Sequence, residues 1–353
     1  MTRPGKAFRR KVFSYRLLAH KRVDKAISVF GQDKNADELQ RIRADIAAMA
    51  KRYRFSPEEY FLLNFSELTE RERLAFISDV ERIDIVENFN LPKNLVLFDD
   101  KSLTYNRFKK YYHRDVYIGK DQKSGFLDFV KKHNRFIVKP INQCCGSGIR
   151  VIDSNSFKDA EELVDTVYSE YKKWFIAEEL IQQTDEFRLL HPSSVNSIRI
   201  TTIRLDDRVE IIHPFLRVGV GENIVDNGGA GGILCPIDIN TGRVYTARDQ
   251  NGVFYNESPD TGEKLIGFVI PEFEEACALV KELAFVVPDN RYTGWDLAHT
   301  QEGWVLVEAN ARGQFVGWQL PSLRGFRQEI YQLVKEVSSH PFSREMAELE
   351  GEI

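Results

Sequence analysis

The stretch VLVEANARGQ, residues 305–314, starts as a buried β-strand and then departs from one. Val305, Leu306 and Val307 suit a core, whereas Glu308, Asn310 and Arg312 follow at two-residue intervals. Strand side chains alternate between faces, so Glu308 and Asn310 point the same way. A second apolar run, GWDLAHT at 294–300, precedes it and is separated from WVLVEAN at 304–310 by Gln301, Glu302 and Gly303. A three-residue hairpin loop ending in glycine fits that gap, because glycine takes the positive φ. Pairing Thr300 with Trp304 sets Ala298 opposite Leu306 and Asp296 opposite Glu308, with Cβ atoms about 5 Å apart. Asp296, Glu308 and Asn310 then converge on one patch. Two carboxylates this close repel unless a cation lies between them, and three hard oxygen donors suit Mg²⁺ rather than zinc. The alternative is a polar hairpin face in water whose carboxylates meet lysines, but Trp295, Trp304, Leu306 and Ala309 argue for burial. Arg312, just past the strand, would reach the substrate side of the metal.

Mg²⁺ held by a few carboxylates usually shares its other ligands with phosphates, so a nucleotide grip is expected elsewhere. FIVKPINQCCGSGIRVID, residues 136–153, offers one. A strand delivers Lys139, a loop of small residues with Gly146, Ser147 and Gly148 follows, and a second strand leaves it. Glycines let backbone N–H groups approach phosphate oxygens, and Lys139 adds a point charge. It is not a P-loop, since no Gly-Lys-Ser/Thr follows, and most Gly-Ser-Gly triplets taken alone are plain turns. AEELI, residues 177–181, ends a strand in Glu178 and Glu179 and either presents backbone groups to a purine edge or is an ordinary strand terminus.

These residues need elements to place them. Residues 1 to 90 read as helical: ADELQRIRADIAAMAKRY spaces Leu39, Ile42, Ile46 and Met49 on one face, Ser56 and Pro57 open a second helix, and Thr69 caps a third. From about residue 95, NLVLFDDKSLTYNRFKKYY reads as a short strand, a turn and a helix. NRFIVKP (134–140) and WFIAEELI (174–181) are strands around a helix at 157–171. SIRITTIRL and VEIIHPFLRVGV form a hairpin across Asp206 and Asp207, and GGILCPIDI pairs with RVYTA across a turn at Asn240, Thr241 and Gly242. PEFEEACALVKELAF (271–285) is an amphipathic helix with Phe273, Ala276, Cys277, Val280 and Ala284 on one face.

Composition bounds the rest. The 353 residues are 42% hydrophobic and 12% aromatic, enough for a large core, and the net charge of −4 gives no reason to expect nucleic acid. Cys144, Cys145, Cys235 and Cys277 show neither a CxxC pair nor zinc spacing, and read as reduced thiols of a cytoplasmic protein. No signal-peptide run and no membrane-spanning segment is expected. The first 25 residues set Arg3, Lys6, Arg9, Arg10, Lys11, Arg16, Lys21, Arg22 and Lys25 against Asp24 alone. That is either a solvated basic helix or an arm for an anionic surface or polymer.

In this order the pieces resemble the ATP-grasp superfamily, from roughly Asp100 to Arg312. SSVNSIRITTIRL, LRVGVGENIVDNGGAGGI, GWDLAHT and the lead-in SPEEYF resemble its sugar-transfer-associated branch. The resemblance implies an α+β fold whose two lobes clasp ATP. It implies a helical N-terminal region at 1–95 and an ATP-grasp domain at 96–325, with a small lobe about 100–175 and a large lobe about 176–325. A C-terminal helix follows at 326–353. It implies that Lys101, at the Asp-Lys step of DDKSLTYNRF, and Lys139 with Gly146, Ser147 and Gly148 hold phosphates. Glu178, Glu179 and Ile181 would line the adenine, with Ile181 a backbone donor, and Asp185 or Glu186 stands nearest the ribose acid. Asp296, Glu308 and Asn310 would hold two magnesium ions, with Mn²⁺ as an alternative, and Arg312 would bind the acid or stabilise charge. Helices replace the usual N-terminal α/β domain, so acceptor contacts do not carry over. Arg199 and Arg217 either steady phosphate or acid or are surface strand arginines; Asn227, in DNGGAGG, either lines the acid site or is a turn residue.

The implied chemistry is phosphoryl transfer from ATP to a carboxylate of a small molecule or sugar, followed by attack of an amine on the acyl phosphate. The acid would be a sugar acid, or an amino acid to be attached, in polysaccharide biosynthesis. The competing readings are an ATP-grasp kinase acting on a small molecule or sugar, and a non-catalytic nucleotide-binding scaffold.

Overall fold

The computed structural model describes residues 20–143, 147–223, 226 and 231–337. The chain divides into two units, Asn90–Gly313 and a second formed by Met1–Phe89 together with Gln314–Ile353.

The second unit is helical where described, with helices at His20–Phe30, Ala36–Tyr53, Pro57–Leu62, Glu70–Leu74, Asp79–Phe89, Val316–Ser322 and Arg327–Val337. Local sequence sets several starts. Asn35, Ser56 and Thr69 each accept the N–H three residues on, while Glu38, Glu59 and Glu72 return a carboxylate to the cap. Ile42, Ile46 and Met49 are buried with Tyr53, Phe55, Tyr60 and Phe65. Of the basic N-terminal run, Arg22 pairs with Glu58 at 3.0 Å and Asp24 with Arg43 at 2.6 Å; its residues before His20 lie outside the described residues.

Residues 314–325, which the sequence reading joined to the ATP-grasp domain, group with these helices instead. The Gln319 amide accepts from Ile77 N and donates to Ile77 O, both at 2.8 Å. Arg327, wholly buried, donates to Leu74 O at 2.6 Å and Phe76 O at 2.5 Å and pairs with Glu81, which also receives the Tyr331 hydroxyl. The last helix is described to Val337, and the remainder of the expected C-terminal helix lies outside the described residues.

Unit Asn90–Gly313 carries two antiparallel sheets. The first joins β1 (Val116–Ile118), β2 (Arg135–Pro140), β3 (Arg150–Asp153) and β4 (Phe175–Glu179) in the order β1-β4-β2-β3. Helices Lys123–Lys132 and Ala160–Tyr171 bury Phe126, Phe129, Leu163 and Val167 against Phe136, Val138, Ile152 and Phe175. β4 pairs with both β1 and β2, so this sheet runs through Glu179.

The second sheet joins β5 (Ile198–Arg204), β6 (Val209–Val218), β7 (Ile233–Pro236), β8 (Tyr292–Thr300) and β9 (Gly303–Asn310) in the order β7-β6-β5-β8-β9. Its core takes Phe273, Ala276, Val280 and Leu283 from helix Phe273–Leu283, with Phe108 edge-on to Trp295 at 5.5 Å. Cys277 packs on this core half-buried rather than fully buried, and Cys235 is buried. The GGILCPIDI hairpin shortens to β7 and two isolated bridges, Ile237 to Val244 and Leu234 to Arg248. The strand expected in NLVLFDD is a helix, Pro92–Asp99. A short apolar run suits either element, and Pro92 at the first helical position favours the helix. No described helix is long and apolar enough to cross a membrane.

Candidate active site

The β8–β9 hairpin turns more tightly than its sequence suggests. Thr300 pairs with Gly303, leaving a two-residue loop, and Gly303 takes φ +98°. That register alone would set Asp296 opposite Val307. A bulge intervenes: Leu297 pairs with Leu306 but Asp296 pairs with Glu308, so Val307 is the extra residue. The bulge restores the shared face that a three-residue loop would have given, and Gly294 lies opposite Asn310.

Asp296 does not need a cation to coexist with Glu308, because arginines already neutralise it. Arg199, its cross-strand partner on β5, donates Nε to Oδ1 at 2.5 Å and Nη2 to Oδ2 at 2.6 Å. Arg217 Nη2, from β6, stands 3.0 Å from Oδ2, and Asn310 Nδ2 donates there at 3.4 Å. Burial alone would raise the Asp296 carboxyl; Arg199 and Arg217 outweigh it and hold it below the usual carboxylate range. Burial would likewise lower Arg199, and Asp296 raises it instead. Arg217 is fixed from behind, its Nε and Nη2 reaching Ser197 Oγ at 3.1 and 2.6 Å. Ser197 in turn donates its N–H and hydroxyl to Asp226 Oδ2 at 2.8 and 2.5 Å. Burial pushes Asp226 up, against the opposing pull of Arg217 and Ser197.

The donor set fits a hard divalent cation. Asp296 Oδ1 accepts one hydrogen bond and keeps a second lone pair, and Glu308, whose side chain is 41% exposed, offers the freer carboxylate. The Glu308 carboxylate faces the Lys101 ammonium at 3.6 Å.

Lys101 opens helix Lys101–Phe108, capped by Asp100, which accepts from Ser102 N and Leu103 N. Its Nζ donates to Gln143 O at 2.5 Å, at the start of the glycine-rich loop. Gly148, at φ +69°, closes that loop; a Cβ there would come within 2.8 Å of Pro140 Cγ. Lys139 lies on β2 opposite Ile176, and its Nζ is 2.8 Å from Glu178 Oε1. Glu178, expected at the adenine, is a buried carboxylate whose other oxygen takes Arg114 Nε at 2.9 Å and Nη2 at 2.6 Å. Its burial would raise it, but Lys139 and Arg114 hold it at about 2. Glu179 turns elsewhere and accepts Asp115 N at 3.1 Å.

Other expected residues are placed less decisively. Arg312 Nη1 contacts both Asp99 oxygens, at 2.6 and 2.8 Å, and both side chains are half exposed. Asp185 opens helix Asp185–Leu190, exposed, 3.3 Å from Arg188. Ile181 lies two residues past the end of β4, and Ser147 is exposed in the loop turn. Gly146 and Asn227, with Cys144 and Cys145, lie outside the described residues. The sequence reading missed Arg114, Ser197, Asp226 and Asp99. The carboxylate beside Asn227 in DNGG was the available signal for Asp226; a lone arginine in KKYYHRD gives none.

Two antiparallel sheets, each packed with helices, with Lys101 of the helix Lys101–Phe108 facing Glu308 of the second sheet, are an ATP-grasp arrangement. The chain belongs to the sugar-transfer associated ATP-grasp family, whose model matches residues 81–335. Similar solved structures include the ATP-grasp ligase PsnB with minimal precursor, Mg and ADP, at 14% identity over 70% of this chain and 62% of that one, TM-score 0.42. Others are N5-carboxyaminoimidazole synthetase from Staphylococcus aureus with ADP (11%, 76% and 60%, 0.45) and D-alanyl-alanine synthetase A from Vibrio cholerae (11%, 73% and 65%, 0.40). The chain thus spans 60% to 65% of the length of these three. Comparison with curated protein sequences finds no match.

Proposed function

We propose that this chain is an ATP-dependent carboxylate–amine ligase that acts on a sugar acid, or attaches an amino acid, in polysaccharide biosynthesis. The observation that carries the reading is the 3.6 Å approach of Lys101 to Glu308. It brings a phosphate-binding cation and a metal-binding carboxylate, from opposite ends of the ordered motif set, to one space. The family's association with sugar transfer supports the substrate class.

In this reading Lys101, Lys139 and the backbone of Gly146, Ser147 and Gly148 bind the ATP phosphates. Ile181 and the backbone at Glu179 face the adenine, Asp185 the ribose. Glu178 acts on the nucleotide through Lys139, whose ammonium it orients. Glu308, Asp296 and Asn310 hold magnesium, or manganese, with Glu308 supplying most of the anionic charge because Asp296 is shared with two guanidiniums. An ion held by these residues would supply charge neutralisation to the phosphates. Arg199 and Arg217, fixed by Asp296, present cationic edges to the substrate carboxylate, and Asn227 contributes to binding the acid. Arg312, released from its exposed pair with Asp99, meets the transferring group, because exposed pairs hold weakly. The carboxylate attacks the γ-phosphate and ADP leaves; the amine attacks the acyl carbon and phosphate leaves.

The test is a screen of sugar acids and amino acids against amines, following ADP and phosphate. Release of both that requires acid and amine together is expected. Transfer of phosphate to a hydroxyl with no amine requirement would make the protein a kinase, and no turnover with any pair, despite nucleotide binding, would make it a scaffold.

A further inference from the structure

Arg114 has no role in the chemistry above, yet it is a nearly buried cation with its side chain 4% exposed. It follows His113, which adopts φ +44°, a left-handed conformation costly for a non-glycine residue. The strain turns the chain between the Lys109–Tyr111 turn and β1 and aims the guanidinium inward. Four hydrogen bonds then leave it in two directions. Nε and Nη2 go to Glu178 on β4, in the first sheet. Nη1 goes to Tyr112 O at 3.0 Å and to Leu306 O at 2.8 Å, on β9 of the second sheet. The guanidinium also lies 4.4 Å over the Tyr112 ring.

Each end of this bridge is a controlling point. Glu178 holds Lys139. Leu306 is the last regularly paired residue before the bulge at Val307, and Glu308 follows it. A bulge leaves backbone groups outside the ladder and re-aims the next side chain, so the group that fixes the Leu306 carbonyl also fixes where Glu308 points. A guanidinium suits the task because its planar fork can serve a carboxylate and a carbonyl at once, whereas an ammonium is a single point.

We infer that Arg114 is a positioning residue that couples the nucleotide-facing pair Lys139–Glu178 to the aim of Glu308, through the Leu306 carbonyl at the bulge. The inference rests on the proposed roles of Lys139 and Glu308. It assigns Arg114 a job that a space-filling or purely stabilising arginine would not have: the affinity for divalent cation in the nucleotide complex depends on it.

Binding of ADP to the full chain, followed by calorimetry across a Mg²⁺ titration, tests this. In Arg114→Lys, the Mg²⁺ concentration giving half-maximal ADP binding rises at least fivefold, while the affinity at saturating Mg²⁺ stays within about threefold and the melting temperature within a few degrees. Arg114→Gln shows the same Mg²⁺ shift and serves if the lysine variant does not fold, since Lys139 still neutralises Glu178 there. In the background of Glu308→Gln, the Arg114→Lys substitution has no further effect on the Mg²⁺ midpoint. An unchanged midpoint in both Arg114 variants overturns the coupling, as does an Arg114→Lys effect that persists in full without the Glu308 carboxylate. Failure of the wild-type chain to bind ADP with Mg²⁺ overturns instead the ligase reading on which this rests.

Discussion

At the scale of the residue, the site is organised by who neutralises whom. Glu308 is the carboxylate least committed to the protein, so Glu308→Gln should remove its charge without unfolding the hairpin. The expected result is phosphate release reduced about 100-fold or more with nucleotide still bound weakly, since a missing metal ligand costs several kcal/mol of barrier. Near-normal release by a folded variant would remove the metal role. Glu178 gives a prediction in pH. Its carboxyl is held at about 2 against an ordinary 4.5. A depressed carboxylate contributes stability that is complete above about pH 4.5 and is lost as pH falls toward about 2. The contribution is on the order of 3 kcal/mol. Denaturant unfolding at stepped pH should therefore show a fall between pH 4.5 and 2 that is shallower in Glu178→Gln; parallel curves would assign the depression elsewhere.

At the scale of the element, two backbone devices place the acidic patch, the tight turn at Gly303 and the bulge at Val307. A Cβ on Gly303 would meet nothing within 4 Å, so its replacement reports backbone strain alone. Gly303→Ala is expected to lower stability by about 1–2 kcal/mol, read from thermal unfolding. Gly148 combines both kinds of strain, a φ of +69° and a clash with Pro140. Gly148→Ala should weaken nucleotide binding several-fold in a chain that still folds, because the strain falls on the loop proposed to hold the phosphates. An unaltered dissociation constant would take the loop out of the phosphate site.

At the scale of the whole molecule, the chain leaves its helical unit at Phe89 and returns to it at Gln314. Arg327 secures the return, fully buried and paired with Glu81. Arg327→Leu should destabilise this unit by about 3–5 kcal/mol, because it leaves a buried carboxylate unpaired. Arg327→Leu with Glu81→Leu should recover much of that loss, since removing both charges leaves neither uncompensated. Thermal unfolding distinguishes the outcomes: a double variant as unstable as the single would mean that packing volume, not charge, is what Arg327 supplies.

The sequence by itself determined whatever depends on short-range pattern. Period-two alternation with a glycine turn named the β8–β9 hairpin and the face shared by Asp296 and Glu308. Helical periodicity and Ser/Thr caps named the helices around Ile42, Pro57 and Glu70, and the Lys139 strand with its glycine loop announced itself. Tertiary structure alone decided which charges meet. Arg199 and Arg217 on Asp296, Arg114 on Glu178 and Leu306, and Arg312 on Asp99 join residues tens to hundreds of positions apart, and no local period encodes such distances. The hairpin shows the division in one place. Composition chose the pair of carboxylates, but the two-residue turn and the compensating bulge show only in the folded hairpin, where the Leu306 carbonyl accepts from Arg114, 192 positions away in sequence.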